Sequence, residues 1–361
     1  MTEFFGRTPD GDQVLRHELR AGSITAAVLT YGCVVQSLCV PDARGRPGEV
    51  TIGLDTLEEY RTRSRYFGAV VGRYGNRIAD GRFTLDGRTH ELPRNHGTSS
   101  LHGGPEGFSS RLWEIAEADE DRVVLTRTSP DGEAGYPGTL TARVTYTLLA
   151  EDPPPGTPWG AGALRIDYHA VTDAPTHVNL TNHAYFNLAG AGPAAGLHGI
   201  HGIHDHTVTL YASRYLPVDA RLIPLAEAPT PVSGTPFDFT APRRVGDGLT
   251  ADHPQLRTAG GYDHCWVVDG RPGALRPAAR VAEPVSGRVL DVRTTEPGVQ
   301  FYSGNMLSDT VYGPGSGLCL ETQHFPDSPN RPEFPSTVLR PGQEYTSTTV
   351  YRFTTESGDR S

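Results

Sequence analysis

The chain has 361 residues and a formal net charge of −10, and it contains 42 glycines, 30 prolines and four cysteines. This length is enough for a large buried core, while the acidic balance disfavours nucleic acids and anionic membrane surfaces as partners. All 32 basic residues are arginines and no lysine occurs, which excludes imine-forming chemistry such as that of pyridoxal-phosphate enzymes.

Alternation of apolar and polar residues with a period of two dominates the chain and predicts β-strands. In chain order, the predicted strands are Ser23–Tyr31, Arg122–Thr128, Thr139–Leu149, Leu164–Val171, Thr207–Tyr211, Arg288–Thr294, Val299–Tyr302, Leu318–Gln323 and Glu344–Thr354. Turn signals such as Asp86-Gly87 separate them, and Thr56–Thr62 is the one helix prediction. The pattern indicates an all-β fold, either an antiparallel sandwich or a barrel.

The domain organisation is predicted to be simple. No shift in composition and no repeat of solenoid period divides the chain, so we expect a single domain over residues 1–361. The segment Glu151–Gly162 is rich in proline and glycine, but it lies between two alternating segments. It therefore predicts a long hairpin loop rather than a linker.

Six segments are dense in polar and aromatic residues beyond what packing requires. They are GRYGNRIADGR (72–82), LHGGPEGF (101–108), NLTNHAYFNL (179–188), GYDHCW (261–266), TTEPGVQFYSGN (294–305) and CLETQHFPDSPN (319–330). Together and in this order they resemble the aldose 1-epimerase family over nearly the whole chain. The resemblance implies a galactose mutarotase-like supersandwich, which is a large antiparallel β-sandwich. It also implies an isomerase that interconverts the α and β anomers of free aldohexoses such as galactose and glucose.

Two residues are candidates for the proton transfers of such a reaction. In the predicted strand Leu318–Gln323, alternation places Glu321 opposite Leu320, on an open or concave face of the sheet. Taken alone, this Glu is most simply a solvated surface residue, and His183 is most simply a hydrogen-bonded histidine of a polar loop. The family resemblance implies instead that Glu321 is the general base and His183 the general acid.

The same resemblance implies a set of sugar contacts. Amides and guanidinium groups can reach sugar hydroxyls, and aromatic rings can cover the C–H faces of the sugar. The matching positions are Asn76, Arg77, His102, Tyr185, Asp263 and Gln300. A structural ion pair is the alternative reading of Arg77 and Asp263. Cys265 and Trp266 depart from the family pattern, which leaves one sugar contact and the preferred hexose open.

The proposed chemistry sets a requirement on protonation. Glu321 has to be ionised and His183 protonated at the same pH. We expect a nearby carboxylate or the field of the cleft to raise the pKa of His183, and ion pairing to keep the pKa of Glu321 low.

No cofactor and no metal are expected. The sequence has no GxGxxG motif in a βαβ setting, and the reaction leaves the redox state of the sugar unchanged. The run HGIHGIHDH, with His198, His201, His204 and His206, invites a metal interpretation, but only His206 matches a family position.

Three other functions stay open. A retaining glycosidase would pair Glu321 with Glu296 or Asp263 at a separation of about 5 Å. A carbohydrate-binding module of the same fold would bind sugar without catalysis. A hexose-6-phosphate 1-epimerase would need an added arginine cluster for the phosphate. The sequence leaves the preferred hexose and the oligomeric state open.

The cellular compartment is predicted from what the sequence lacks. No apolar run approaches the roughly 20 residues that span a bilayer, and the N-terminus has no basic region followed by an apolar one. The four cysteines include no Cys-x-x-Cys pair, which fits a reducing compartment. We therefore expect a cytoplasmic protein that acts on a small molecule.

Overall fold

The computed structural model describes residues 1–151, 161–191 and 202–356. Up to residue 172 the strands are β1 (Thr2–Arg7), β2 (Gln13–Ala21), β3 (Ile24–Leu29), β4 (Val35–Pro41), β5 (Pro47–Glu49), β6 (Val70–Val71), β7 (Arg77–Ile78), β8 (Arg82–Leu85), β9 (Arg88–Glu91), β10 (Ser100–Leu101), β11 (Glu114–Ala118), β12 (Arg122–Ser129), β13 (Leu140–Glu151) and β14 (Ala161–Thr172). The later strands are β15 (Thr176–His177), β16 (Thr181–Asn182), β17 (Tyr185–Phe186), β18 (Thr207–Leu210), β19 (Arg214–Leu216), β20 (Thr230–Pro231), β21 (Arg243–Arg244), β22 (Asp263–Val267), β23 (Arg276–Ala282), β24 (Arg288–Thr294), β25 (Gly298–Tyr302), β26 (Leu318–Gln323), β27 (Val338–Leu339) and β28 (Tyr345–Thr355). The helices are α1 (Leu57–Thr62), α2 (Val245–Leu249) and α3 (Pro254–Ala259).

Two large antiparallel sheets form a sandwich. The larger has nine strands in the order β11-β12-β13-β14-β28-β24-β23-β18-β21, and the smaller has six in the order β17-β26-β25-β22-β19-β20. A five-stranded sheet, β1-β2-β3-β4-β5, adds a further antiparallel layer from the N-terminal residues. The prediction of a large antiparallel β-sandwich is thus confirmed.

The core lies between the nine-stranded and six-stranded sheets, and β26 shows how they meet. Leu320 is buried in the main hydrophobic cluster, and its carbonyl accepts a hydrogen bond of 3.2 Å from the hydroxyl of Tyr351 on β28. Two residues further along, the Oγ1 atoms of Thr322 and Thr349 are 2.5 Å apart. Because side chains alternate along a strand, these contacts fix the even-numbered residues of β26 toward the nine-stranded sheet and the odd-numbered ones away from it.

The strands predicted from alternation are confirmed, and their ends agree within two residues except at the start of β14, which lies three residues before the predicted Leu164. β13 and β14 pair over their whole length, from Leu140 with Thr172 to Glu151 with Ala161, so the two strands form the expected hairpin. The connection itself, residues 152–160, lies outside the described residues. The helix prediction is also confirmed, because the hydroxyl of Thr56 accepts a hydrogen bond from the Glu59 backbone N–H and caps α1.

The predictions missed most of the five-stranded sheet and two of the helices. β2 places Val14, His17 and Leu19 in buried positions, an irregular spacing that a period of two does not detect. Helices α2 and α3 have five and six residues, which is too short to show a helical period. Within the described ranges, no helix combines the length and apolar character needed to cross a membrane.

Candidate active site

A pocket of about 560 Å³ opens on the side of β26 that faces away from the nine-stranded sheet. It is lined by Arg65, Tyr66, Asn76, Arg77, Asn95, His96, Leu101, His102, His183, Tyr185, Asp263, Tyr302, Asn305, Met306, Ser308, Asp309 and Glu321. Seven of the eight residues predicted for the site are in this set, although they come from segments up to 245 positions apart in the chain (321 minus 76). The fold therefore brings the separate sequence blocks to one place.

Glu321 forms the floor of the pocket. Its position on β26 agrees with the predicted alternation, but the face is not open to solvent, because Glu321 is only 2% exposed. One carboxylate oxygen, Oε1, lies 3.7 Å from Nε2 of His183, and the other, Oε2, is buried without a hydrogen-bond partner. A buried carboxylate with an unpaired oxygen is costly for folding, which is typical of an atom that meets its partner in a ligand.

His183 is held between β16 and β17 by its backbone. Its N–H donates to the carbonyl of Ala69 (2.8 Å), and its carbonyl accepts from the N–H of Gly68 (3.1 Å). His183 is 4% exposed, and its ring nitrogen Nδ1 lies 3.5 Å from Sγ of Cys319. The imidazole therefore has a fixed position, with Nε2 toward Glu321.

The loop residues Asn76 and His102 support each other. The backbone N–H of Asn76 donates to Nδ1 of His102 (3.1 Å), and the N–H of His102 donates to the carbonyl of Asn76 (3.0 Å). Both residues have positive φ angles, +66° and +53°, a conformation that non-glycine residues adopt rarely and that Asn and His tolerate better than most. The paired β7 and β10 place Arg77 and Leu101 next to them.

Asp263, at the start of β22, links two of the predicted contacts. Its Oδ1 accepts a hydrogen bond of 2.6 Å from Nε2 of Gln300, and its Oδ2 accepts one of 3.3 Å from Arg77. Gln300 does not line the pocket; it lies behind Asp263 and beside Glu321 on the neighbouring strand. Arg77 and Asp263 thus form the ion pair that was the alternative reading, but both also line the pocket, and Nε of Arg77 has no partner.

The pKa values of the two central residues move in the direction opposite to the expectation. Burial, reinforced by the charge of Asp263, raises the pKa of Glu321 to about 8, against a smaller lowering by Arg77. Burial lowers the pKa of His183 to about 4, although backbone hydrogen bonding and Asp263 oppose it. The energetic cost of burying the charged forms of Glu321 and His183 exceeds the attraction between those charges, because both side chains are almost fully enclosed. At neutral pH the substrate-free pair therefore holds one proton, and that proton is on Glu321.

Several pocket residues were not predicted. Tyr66 has a φ of +64°, and its ring centroid lies 4.6 Å from that of His102 and 5.6 Å from that of His183. Tyr302 and Asn305 belong to the block TTEPGVQFYSGN, so the block indicated them although the individual residues were not chosen. Tyr185, one of the predicted sugar contacts, lines the pocket, and its hydroxyl donates to the carbonyl of Arg65.

Three residues with a suspected role lie elsewhere. Cys265 and Trp266, the departures from the family pattern, are buried in the hydrophobic interior and do not line the pocket. Glu296, one candidate partner for a glycosidase mechanism, pairs with Nδ1 of His324 (2.6 Å) and is likewise not a pocket residue. A change in sugar contacts therefore does not follow from the Cys265 and Trp266 side chains.

His102, His183 and Glu321 place potential metal-ligand atoms within 4.8 Å of one another. The hydrogen bonds do not favour a metal at this trio. Nδ1 of His102 accepts the Asn76 N–H, so a neutral ring carries its hydrogen on Nε2 and offers no free lone pair.

The histidine run is only partly described. His198 and His201 lie outside the described residues. His204 is exposed, and His206 is buried with Nε2 accepting the N–H of Leu188 (2.9 Å). That hydrogen bond occupies the lone pair of the one histidine in the run that matches a family position.

The sandwich, the pocket and the order of the sequence blocks define a family. The family model for aldose 1-epimerase matches residues 16–352, and the chain belongs to this family. It is thus an aldose 1-epimerase, an isomerase that acts on carbohydrates.

Full-length relatives support this assignment. The chain is 43% identical over 357 residues to the galactose mutarotase of Rattus norvegicus, with 97% of each chain covered. It is 36% identical to the aldose 1-epimerase of Escherichia coli K12, with 96% of this chain and 97% of the relative covered. Among solved structures, the galactose 1-epimerase from Lactobacillus acidophilus matches with a TM-score of 0.83 and 27% identity, and 99% of each chain is covered.

Proposed function

We propose that this enzyme interconverts the α and β anomers of free aldohexoses, with Glu321 as the base at the anomeric hydroxyl and His183 as the acid at the ring oxygen. The observation that carries the proposal is the buried pair itself. Oε1 of Glu321 lies 3.7 Å from Nε2 of His183, Oε2 has no partner, and both side chains line a pocket of about 560 Å³. A general acid and a general base placed together suffice for ring opening.

The reaction begins when a bound hexose donates a hydroxyl hydrogen bond to Glu321. Such a bond favours the carboxylate, because hydrogen bonding to a charged form lowers its energy. The single proton of the pair then resides on His183. Glu321 takes the proton of the anomeric hydroxyl while His183 gives its proton to the ring oxygen, and the bond between C1 and that oxygen breaks. The pair returns to protonated Glu321 and neutral His183, which is the arrangement that burial favours in the empty pocket.

Closure completes the exchange of anomers. Rotation about C1–C2 presents the other face of the open-chain aldehyde. Glu321 then donates its proton to the aldehyde oxygen, while His183 removes the proton of the attacking hydroxyl. The other pocket residues hold the sugar during both steps. Arg77 presents an unpaired Nε–H, and Asp263, held by Gln300, accepts hydroxyl hydrogen bonds.

The charges of the pocket favour a neutral sugar over a sugar phosphate. Of the two arginines in the lining, Arg65 pairs with Asp309 and Arg77 pairs with Asp263. A phosphate is usually bound by arginines that have no competing carboxylate. We therefore propose free hexoses as substrates and neither nucleic acid nor a membrane surface as a partner.

The test is to monitor the mutarotation of freshly dissolved α-galactose and α-glucose with a polarimeter. The wild-type enzyme should accelerate the change in optical rotation. Glu321→Gln preserves the shape but removes the proton acceptor, so kcat should fall by about 10²–10⁴-fold, the usual value of a positioned base. A carbohydrate-binding module would bind galactose without any acceleration, and a glycosidase would hydrolyse aryl galactosides. A wild-type rate for Glu321→Gln would refute the assignment of the base.

The domain count and the compartment are further proposals. A single hydrophobic cluster includes residues from Leu19 to Phe353, which supports one domain over residues 1–361. All four cysteines are free, which supports a reducing, cytoplasmic location. Calorimetry should show one cooperative unfolding transition, and cell fractionation should recover the enzyme in the cytosol. Two separate transitions, or recovery in a secreted fraction, would contradict these proposals.

A further inference from the structure

A buried cysteine contacts the proposed acid on the side away from the base. Cys319 lies on β26 two residues before Glu321, and the two side chains share the face that points away from the nine-stranded sheet. Its Sγ is 3.5 Å from Nδ1 of His183, and the residue is 0% exposed. Tyr185 and Tyr302 are the register partners of Cys319 on the neighbouring strands. The imidazole is thus placed between a thiol at Nδ1 and a carboxylate at Nε2.

The thiol stays protonated in this position. Burial raises the pKa of Cys319 well above its usual value, and the charges of Glu321 and Asp263 raise it further. A protonated thiol is a weak hydrogen-bond donor and also a weak acceptor. It can therefore serve as a partner for Nδ1 in either protonation state of the imidazole.

The mechanism sets which nitrogen of the neutral ring carries its hydrogen. A neutral imidazole carries one hydrogen. His183 gives and takes its proton at Nε2, the nitrogen 3.7 Å from Oε1 of Glu321, so the neutral ring needs its lone pair at Nε2 and its hydrogen at Nδ1. That Nδ1–H can donate to Sγ of Cys319, 3.5 Å away, in the neutral ring and in the imidazolium alike.

We propose that Cys319 is a positioning residue whose sulfur accepts the Nδ1–H of His183 and so fixes the neutral tautomer that leaves the lone pair on Nε2. This inference rests on the proposed role of His183 as the acid. It assigns Cys319 no contact with the sugar. Groups that bind the second nitrogen of a functional histidine commonly set its tautomer and orientation in this way.

Kinetics of two variants test the proposal. Cys319→Ala removes the partner of Nδ1, and kcat should fall by about threefold to tenfold, the range expected for one lost hydrogen bond. KM should stay within about twofold, because the thiol does not hold the sugar. Cys319→Ser keeps a group that both donates and accepts, so it should restore most of the wild-type kcat. Cys33→Ala, at another buried free cysteine, controls for the loss of packing and should keep the wild-type kcat.

A second readout is independent of turnover. The ¹⁵N chemical shifts of the two ring nitrogens, assigned with a His183→Asn variant, report directly which nitrogen carries the hydrogen. Wild type and Cys319→Ser should show the hydrogen on Nδ1 at pH 7, and Cys319→Ala should show a mixture of tautomers. A wild-type ring with its hydrogen on Nε2, or a Cys319→Ala variant with wild-type kcat and unchanged shifts, would overturn the proposal. Absence of wild-type mutarotation would instead refute the proposed function, while the tautomer would still be measured.

Discussion

The rate of mutarotation is expected to follow a bell-shaped pH profile that reports the proton count of the Glu321–His183 pair. Catalysis needs one proton on the pair, since one group has to accept and the other to donate. Burial raises the pKa of Glu321 to about 8 and lowers that of His183 to about 4. Below the lower value both groups are protonated and no base is left, and above the higher value neither is protonated and no acid is left.

This assigns the limbs of the profile in an unusual way. The acidic limb belongs to protonation of His183 and the alkaline limb to ionisation of Glu321, the reverse of what the ordinary pKa values of the two side chains suggest. The plateau of kcat/KM should extend from about pH 4 to about pH 8. One pH unit beyond either limb, about one tenth of the plateau activity should remain.

Two neighbouring charges allow the alkaline limb to be shifted in opposite directions. Asp263 raises the pKa of Glu321 and Arg77 lowers it. Asp263→Asn should therefore move the alkaline limb of kcat/KM to lower pH, and Arg77→Ala should move it to higher pH. Both variants should also raise KM, because the residues hold the sugar in the ground state and the transition state alike.

The assay is polarimetry of fresh α-galactose between pH 3 and pH 10, with the spontaneous rate in each buffer subtracted. The free-enzyme pKa values are read from kcat/KM rather than from kcat. An alkaline limb near pH 6.5, unmoved in both the Asp263 and the Arg77 variant, would show that the titrating proton belongs to a histidine of ordinary pKa. That result would refute the argument from burial.

Further predictions concern stability, the acid, substrate charge and metals. Because the pKa of Glu321 is raised from 4.5 to about 8 on folding, its contribution to stability falls as pH rises through that window. Glu321→Gln should thus unfold at the wild-type temperature near pH 4.5 and be more stable by up to about 3 kcal/mol at pH 7, and equal melting temperatures at both values would contradict this. His183→Asn should lower kcat by about 10²–10⁴-fold in the polarimetric assay, while retention of full activity would remove His183 from the mechanism. Galactose or glucose should give a higher kcat/KM than glucose 6-phosphate, and the reverse order would indicate a hexose-phosphate epimerase. Activity should survive dialysis against EDTA, and a loss that zinc restores would point to a metal site.

Much of the fold could be predicted because its strands alternate strictly. In β14, Leu164, Ile166 and Tyr168 are buried, and the residues between them are partly exposed. Such a strand has one face in the core and one in water, so apolar and polar residues alternate along it and the sequence shows a period of two. Where burial is complete, as along all six residues of β26, that contrast disappears. The five-stranded N-terminal sheet was mostly missed because its buried positions are irregularly spaced.

The residues of the candidate site could likewise be predicted in part from the sequence. Six ordered blocks identified the family, and the resemblance implied seven of the 17 residues that line the pocket, Glu321 and His183 among them. The sequence alone also fixed the absence of lysine and therefore the absence of imine chemistry.

The tertiary structure decided what these residues experience. The depth at which Glu321 and His183 are enclosed reverses their expected pKa directions, and depth is a property of the surrounding chain rather than of the residue itself. Only the packing of β17 beside β26 brings the thiol of Cys319 to Nδ1 of His183, across 136 positions of sequence. Residue types and their order are local information, whereas desolvation and contact between distant segments arise only when the chain is folded.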